Sequence, residues 1–536
     1  MNGGPRGRCR AGAGFDPVTL EVLRHALQAV AEEMNANLVR SAFGPNIKER
    51  RDCSCALFDA NGEMVAQAES IPVHLGAMPF AVRQAVREVT EPHPGDIVVL
   101  NDPYAGGAHL PDVTFVAPVF LEGRVASFVA CRAHHADIGG KEPGSLAGDA
   151  REIYQEGLRI PPIRMWREGV LDDDLLRVFL ANVRTPEERL GDLGAQYAAC
   201  VTGIRRMQAV SERFGVTTLS RGMEAILDYS ERRMRSMIAR LPDGEARFED
   251  CLDGDGTGSG AVAVAVRLRI QGERIRIDFT GSAPQVIGPI NAVEAVTASA
   301  CYYAVRAVTD PTIPPNAGCY RPVEIHAPRG TVVHAVPPAA VAGGNLETAQ
   351  RVADCVLGAL FQLVEAQAVA ASQGTMNNLA IGGIDPRSGR AYTLYETIGG
   401  GTGASATTDG VDGIHSHMTN TLNTPVEALE IAYPLRVERY ELIDGSGGRG
   451  AHRGGRGVRR DIRVLGHTAR VSLLADRRVS RPYGLCGGEP GASGCDVLIG
   501  QAGERPLPCK GVVSVGPDEI ISIRTPGGGG YGEADP

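Results

Sequence analysis

Glycine is the feature that most constrains this sequence, because it accounts for 68 of the 536 residues. Only glycine adopts a positive φ without steric cost, so this number predicts many tight turns and close backbone approaches. A chain of this length also exceeds what one simple hydrophobic core can serve. We therefore predict a mixed α/β fold: a large multi-layer body with mixed sheets, long helices, Gly-rich loops and a β-rich C-terminal region.

Charge and hydropathy exclude several classes of partner. A formal charge of -9 and a pI near 5.8 argue against a nucleic-acid partner, whose affinity depends on neutralised phosphates. No apolar run reaches the roughly 20 residues of a membrane span, and residues 1–14 lack the apolar stretch of a signal peptide. The 12 cysteines are scattered and are interpreted as reduced thiols. These features predict a cytoplasmic protein with no membrane partner.

Helix and strand patterns alternate along the N-terminal part of the chain. Asp16 followed by Pro17 is typical of a helix start. Later predicted elements are a hairpin of strands at 53–58 and 64–68, a helix over 80–89, and strands at 97–100, 113–120 and 125–132. Polar loops follow two of these strands, at 101–112 and 134–140. Because α/β proteins often carry their chemistry beyond strand ends, we expect these loops to form a site.

His109, Asp112 and His134 form the candidate site on these two loops. Imidazole nitrogen and carboxylate oxygen suit Zn, Mn or Fe, and three protein ligands leave a position open for water. Asp52, at the start of the first hairpin strand, is a candidate fourth ligand. From spacing alone, the same residues are also interpreted as polar loop residues that cap turns.

His135 and Asp137 are expected to lie behind these ligands. Successive side chains at a strand end point to opposite sides, so only one of His134 and His135 reaches a given metal, and we assign His134. His135 then orients neighbouring groups or faces solvent. Asp137 either supports the ligands or hydrogen-bonds its own backbone in a turn.

A second candidate region contains a glycine-rich segment and a polar loop. Residues 395–403 form a strand that runs into glycines, whose N–H groups could cradle an anion. The lysine of a Walker loop is absent, so a nucleotide site is not favoured. The loop at 415–421 is rich in hydrogen-bond donors and acceptors. We assign Glu396, His415 and His417 to substrate binding, with structural turns as the alternative.

Changes in composition divide the chain into segments. From residue 261 to 279 apolar and polar residues alternate strictly, which predicts an antiparallel hairpin with one solvated face. The pattern predicts helix at 185–241 and a largely buried helix at 347–369, and the C-terminal stretch is β-rich and crowded with glycines. The predicted segments are a disordered leader at 1–14, an N-terminal α/β region with the metal site at 15–245, a central α/β region at 246–431, and a β-rich region at 432–536.

Several motifs occur in a characteristic order. They are Asp16-Pro17-Val18-Thr19-Leu20-Glu21-Val22, Ile47-Lys48-Glu49-Arg50-Arg51-Asp52, Asn101-Asp102-Pro103-Tyr104 through His109-Leu110-Pro111-Asp112, and His134-His135-Ala136-Asp137-Ile138-Gly139-Gly140. Further along come Glu396 with the glycines at 399–403, the loop at 415–424 with Pro425-Val426-Glu427, and the Gly-rich C-terminal end. Together, over residues 15–532, they resemble the hydantoinase B/oxoprolinase family.

The resemblance implies a subunit of an ATP-dependent hydrolase that acts on a C–N bond of a cyclic amide such as a hydantoin or 5-oxoproline. An actin-like, ATP-binding A-type partner would phosphorylate the carbonyl oxygen, and this B-type chain would hydrolyse the activated substrate in a hetero-oligomer. The metal-binding residues of the family fall on Asp52, His109, Asp112 and His134. They imply one divalent transition metal, Zn or Mn, with the last three residues also catalytic.

Two other functions remain open. In a subunit of an acetone or acetophenone carboxylase, the same site would position an enol phosphate and activated carbonate. A neighbouring gene for a small third subunit would favour that reaction. A non-catalytic scaffold that only stabilises its partner is the other alternative, and a well-folded protein without stoichiometric metal would favour it.

Overall fold

The computed structural model describes residues 15–68 and 71–534. The leader predicted at 1–14 lies outside these residues. The helices are α1 (Pro17–Ser41), α2 (Pro45–Lys48), α3 (Pro72–Glu88), α4 (Asp173–Ala181), α5 (Pro186–Phe214), α6 (Val216–Ile238), α7 (Glu294–Val308), α8 (Ala317–Tyr320), α9 (Ala349–Leu363) and α10 (Val426–Ala432).

The strands fall into four sheets. They are β1 (Cys53–Asp59), β2 (Met64–Gln67), β3 (Ile97–Leu100), β4 (Asp112–Leu121), β5 (Arg124–His134), β6 (Ile163–Arg167), β7 (Val170–Leu171), β8 (Gly244–Leu252), β9 (Val262–Gln271), β10 (Arg274–Asp278), β11 (Val323–His326), β12 (Asn378–Ile384), β13 (Ala391–Glu396), β14 (Leu435–Leu442), β15 (Val458–Val464), β16 (Ala469–Leu474), β17 (Cys495–Gly500), β18 (Gly503–Pro506), β19 (Lys510–Val515) and β20 (Ile520–Arg524).

The first sheet carries the candidate site. Its order is β2-β1-β5-β4-β3-β6-β7, and neighbouring strands are antiparallel. Helices α1, α3 and α5 pack against this sheet. Helix α7 packs between α3 and α9. Helix α9 in turn contacts β8 and β9 of the second sheet. This succession of sheets and helices confirms the predicted mixed α/β, multi-layer class.

Helix α1 begins as the sequence predicts. The Asp16 carboxylate accepts a hydrogen bond from the Thr19 backbone N–H at 2.8 Å, and Pro17 is the first helical residue. An N-cap acceptor and a preset φ at the first position both favour this start. The apolar stripe of the helix is buried at Leu23, Leu27, Val30, Met34 and Leu38.

Helix α3 begins at Pro72, earlier than the start predicted at residue 80. Gly76 and Pro79 lower the helix propensity of this segment and obscure its pattern. Gly76 lies where α3 meets α7, because a Cβ at this position would be 2.6 Å from the Ser299 Cα. Close packing of the two helices therefore outweighs the poor local propensity.

The other predicted helices also differ in detail. The segment predicted as helical at 185–241 is divided into α5 and α6 at Gly215, which has a φ of 82°. The buried helix predicted at 347–369 opens with a π-helical turn at Gly344–Thr348 and ends at Leu363. None of the described helices combines the length and apolar character needed to cross a membrane.

The remaining sheets build the second half of the molecule. The predicted hairpin forms β9 and β10 in the sheet β11-β10-β9-β8, with alternating buried and more exposed residues along β9. The sheets β13-β12-β16-β19 and β14-β15-β20-β17-β18 share a second hydrophobic core. Because β12 pairs with β16, one sheet joins strands from both sides of residue 431. The segment boundaries at 245 and 431 stay predictions.

Candidate metal centre

The hairpin of β4 and β5 brings two candidate ligands together. Asp112 is paired with His134 in the antiparallel register, so their side chains lie next to each other. His109 precedes this pair in the loop after β3, and its carbonyl accepts a hydrogen bond from the Asp112 N–H. The Asn101 amide holds the loop in place by donating to the Leu110 carbonyl at 2.8 Å.

Three ligand atoms form a compact triangle. His109 Nε2 lies 3.0 Å and His134 Nδ1 3.1 Å from Asp112 Oδ1, and the two nitrogens are 3.2 Å apart. Donors that share one ion at about 2.0–2.2 Å lie about 3.0–3.5 Å from one another. Asp112 Oδ2 and His134 Nε2 are buried without a hydrogen-bond partner among the described residues. This buried donor set fits a single Zn- or Mn-type ion.

The pKa values of the three groups reflect their mutual contacts. Burial alone would raise the pKa of Asp112, but the His109 and His74 rings outweigh it and hold the pKa well below its usual value. Burial opposes protonation of His109, yet the Asp112 carboxylate prevails and raises the pKa of that ring. For His134 burial prevails and lowers the pKa. An ionised Asp112 and a neutral His134 offer lone pairs to a metal, whereas a protonated His109 must lose its proton before it can bind one.

Two further side chains hold the ligands in orientation. His74 Nε2 lies 3.4 Å from Asp112 Oδ2, and its Nδ1 is 2.9 Å from the Ser54 hydroxyl. The Tyr395 ring stacks on the His134 imidazole with centroids 4.6 Å apart. Sequence reasoning missed His74 because the predicted helix began too late. Pro72, typical of a first helical residue, was the available signal.

Asp52 lies at the same site, just before β1. Its carbonyl accepts a hydrogen bond from the His134 N–H at 3.0 Å, which ties β1 to the end of β5. Its side chain lines a cavity of about 20 Å³ together with the three candidate ligands. We call this space the metal cavity. The cluster of ligand atoms that lie within 4.8 Å of one another contains His109, Asp112 and His134 but not Asp52.

His135 and Asp137 contact residues of, or just before, α5. A ring nitrogen of His135 lies 2.9 Å from the Gln196 Oε1 of α5, and burial lowers the pKa of this ring to about 4. The Asp137 carboxylate accepts hydrogen bonds from the Gly139 N–H at 3.0 Å and from Arg184 Nη1 at 2.9 Å. His135 thus faces away from the ligands, and Asp137 organises the loop that follows β5.

Glu396 is not brought into the metal cavity. Its carboxylate pairs with Arg460 at 3.0 Å and accepts the Thr424 N–H at 2.8 Å, and both charged side chains are fully buried. Neighbouring side chains of a strand point to opposite faces, so Tyr395, which faces the cavity, excludes Glu396 from it. Its assignment to substrate binding stays a prediction that this placement does not support.

His415 and His417 lie on the loop beside the cavity. Within the described residues neither ring nitrogen of His415 has a hydrogen-bond partner, and burial, followed by the Arg50 charge, lowers its pKa to about 3. His417 borders a different cavity, where it contacts Asp354. The next residues, Met418 and Thr419, line the metal cavity.

Known proteins are similar to this chain over nearly its whole length. The B-type subunit of a putative D-/L-hydantoinase from Pseudomonas sp. (strain NS671) is 34% identical, over 97% of this chain and 90% of that protein. The 5-oxoprolinase 1 of Arabidopsis thaliana is 38% identical over 96% of this chain, which spans only 42% of that longer protein. The ATP-dependent caprolactamase of Pseudomonas jessenii superposes with a TM-score of 0.90 at 31% identity, covering 97% of this chain and 91% of that chain.

A family model agrees with these similarities. The model described as hydantoinase B/oxoprolinase matches residues 16–534, which is almost the entire described chain and includes every candidate ligand. The resemblance carried by the sequence motifs is therefore confirmed. This chain belongs to the hydantoinase B/oxoprolinase family.

Proposed function

We propose that this chain is the B-type subunit of an ATP-dependent cyclic-amide hydrolase and that it holds one divalent transition metal, Zn or Mn. His109, Asp112 and His134 would be the ligands, with Asp52 as a fourth. The observation that carries the proposal is the buried triangle of donor atoms, with sides of 3.0 to 3.2 Å. The names of the similar hydantoinase and caprolactamase support the cyclic-amide class.

The chemistry needs two partners because an unstrained amide is a poor electrophile and water is a poor nucleophile. A divalent ion at this site would act as a Lewis acid and lower the pKa of a water ligand to about 7. The side chains of this chain bury the site, which excludes bulk water. Tyr395, stacked on His134, and His74, beside Asp112, keep the ligands in one orientation.

The ATP-using step belongs, in this proposal, to a separate A-type partner that phosphorylates the carbonyl oxygen. The glycine-rich segment at 399–403 lacks a Walker lysine, and its glycines are packed against other backbone. A Cβ at Gly401 would lie 1.9 Å from the Gly455 carbonyl, and one at Gly403 would lie 1.7 Å from the Ala370 carbonyl. Such close approach explains the glycines as packing residues and supports an ATP site elsewhere.

Co-expression with an A-type partner tests the proposal. We expect the purified complex to hydrolyse ATP in the presence of hydantoins, 5-oxoproline or lactams and to release the ring-opened product. Metal analysis should give about one Zn or Mn per B-type chain. ATP-dependent consumption of ketones with bicarbonate, and none of cyclic amides, would identify a carboxylase instead. A folded, metal-free complex that remains fully active would overturn the metal site.

A further inference from the structure

A second cavity lies beside the metal cavity, between α7, α9 and the loop that carries His417. Its volume is about 210 Å³, smaller than the roughly 300–1,000 Å³ of sites for drug-sized molecules. We call it the ring cavity. Its polar wall contains Tyr303, Asp354 and His417, and its apolar wall includes Val308, Leu357 and Phe361.

The polar wall is a row of three side chains in polar contact. The Tyr303 hydroxyl lies 3.4 Å from His417 Nδ1, and His417 Nε2 lies 3.3 Å from Asp354 Oδ1. In the tautomer whose proton is on Nε2, the nitrogen that faces the Asp354 carboxylate, Nδ1 accepts from the tyrosine hydroxyl. The lone pairs of the Tyr303 oxygen are then left to accept a hydrogen bond from a ligand. Burial raises the pKa of Tyr303 to about 12, which keeps the hydroxyl protonated at neutral pH.

The ring cavity adjoins the metal centre through one short loop. His417 borders the ring cavity, whereas Met418 and Thr419 border the metal cavity. The backbone of His417 has a φ of 55°, in the left-handed region that is uncommon for residues other than glycine. The Met418 carbonyl accepts a hydrogen bond from the Val73 N–H at 3.3 Å. The loop is therefore held between the two cavities.

The charge of the ring cavity is unsuited to an anion. Among the described residues no lysine or arginine lines it. Two guanidinium groups bind the other oxygen of Asp354: Arg351 lies 2.8 Å and Arg477 3.3 Å from Oδ2. A carboxylate inside the cavity would lie near Asp354 without a free cation, and burying an unpaired charge is strongly unfavourable.

We infer that the ring cavity binds the uncharged ring of a cyclic amide, whose N–H donates to the Tyr303 oxygen, and that it discriminates against rings that carry a carboxylate. The apolar wall contacts the methylene groups of the ring. His417 and Asp354 are positioning residues that orient the hydroxyl. This inference rests on the proposed function and sharpens it: unsubstituted lactams and hydantoins are substrates, and 5-oxoproline, which carries a carboxylate, is a poor one.

Ligand binding to the full chain, measured by saturation-transfer NMR without ATP, tests the inference. We expect 2-pyrrolidinone to bind at least about tenfold tighter than 5-oxoproline. Ala307→Phe, at an exposed position of the lining, should abolish binding by filling the cavity. Tyr154→Phe, at a surface tyrosine 63% exposed and outside the cavity, is the matched control and should leave binding unchanged. Equal or tighter binding of 5-oxoproline, or full binding to Ala307→Phe, overturns the inference.

Cyclopentanone has the same ring size as 2-pyrrolidinone but no N–H, so comparing the two isolates the role of the Tyr303 hydroxyl. Tyr303→Phe and His417→Ala should each reduce the preference for 2-pyrrolidinone over cyclopentanone about tenfold. If the affinity for both ligands fell by the same factor, the anchoring role of Tyr303 would be overturned, because an equal loss indicates only a structural defect.

Binding and turnover separate this inference from the proposed function. A complex that hydrolyses lactams while the chain fails to bind 2-pyrrolidinone overturns only the ring cavity. A chain that binds 2-pyrrolidinone in a complex without any cyclic-amide hydrolysis overturns only the proposed function.

Discussion

Two buried polar clusters in this molecule have opposite character. In the first, Asp112 meets His109 and His134, and its second oxygen has no hydrogen-bond partner in the described part of the chain. In the second, Asp476 receives Lys510 at 2.7 Å on one oxygen and Arg351 at 2.8 Å on the other. Asp112 is therefore paired only with histidine rings, whereas each oxygen of Asp476 is paired with a permanently charged side chain.

The difference distinguishes a candidate binding site from a structural brace. Arg351 reaches Asp250, Asp354 and Asp476, so it joins β8, α9 and the segment after β16. A buried carboxylate with complete partners has nothing left to offer a ligand. In the Asp112 cluster three donor atoms lie 3.0 to 3.2 Å from one another, close enough to share one metal ion. Substitutions in the two clusters should therefore affect different properties of the protein.

The largest effect is expected at His109. His109→Ala removes one side of the donor triangle, so turnover by the complex with an A-type partner should fall by about a thousandfold or more. The circular dichroism spectrum should be unchanged, and bound metal should be lost. His93→Ala, at a histidine 54% exposed on the surface, is the matched control. Full activity of the His109 variant would contradict the site.

Arg351 should have the largest effect on stability. Arg351→Met leaves three carboxylates of the brace without their shared cation, which should lower the free energy of unfolding by about 3–5 kcal/mol. Urea unfolding of the purified chain measures this change. Arg267→Met, which breaks the exposed pair with Glu245, should lower it by less than about 1 kcal/mol. Similar losses in both variants would show that the brace is not a distinct structural element.

His74 tests how the metal centre is supported. His74→Leu removes the nitrogen that lies 3.4 Å from Asp112 Oδ2 but keeps an apolar side chain of similar size. Metal affinity, measured by competition with a chelator, should fall about 10- to 100-fold. The free energy of unfolding of the metal-free chain should also fall, by about 1–3 kcal/mol, because the buried Ser54 hydroxyl loses its partner. Unaltered affinity would mean that Asp112 is oriented without His74.

The candidate metal centre could be predicted largely because its residues are close in sequence: Asp112 and His134 lie on one hairpin, and His109 lies in the loop just before it. Two alternating strands separated by a short turn fix which residues face each other, so Asp112 and His134 meet as a consequence of local pattern. Asp52 was a candidate from its place at the start of the first hairpin strand, and the family resemblance implied the same residue. The mixed α/β class followed from the same alternation of patterns along the chain.

The placements that sequence patterns did not indicate depend on distant parts of the chain. Glu396 is drawn away from the cavity by Arg460, on a strand of another sheet. His74 belongs to a helix whose start is stabilised by packing on α7 rather than by local propensity. The partners of Asp354 and Asp476 come from several segments, and no local pattern indicates such pairings.

Asp255 provides a smaller test, since it is a carboxylate saturated by hydrogen bonds instead of cations. Its oxygens accept the N–H groups of Thr257 at 2.9 Å and Gly288 at 3.0 Å. Burial opposes ionisation, but these bonds and those from Ser259 prevail and lower the pKa of Asp255 to about 2. A pKa below the unfolded value gives stability at neutral pH that is lost as the pH falls from about 4 toward 2.

Asp255→Asn should therefore remove part of that pH dependence. At pH 7 the variant should unfold with about 1–2 kcal/mol less free energy, because an amide oxygen replaces a charged acceptor. At pH 3 the difference from the parent chain should shrink, since the parent is by then losing the same contribution. Urea unfolding at both pH values measures it. A constant difference would mean that Asp255 is not held ionised by its neighbours.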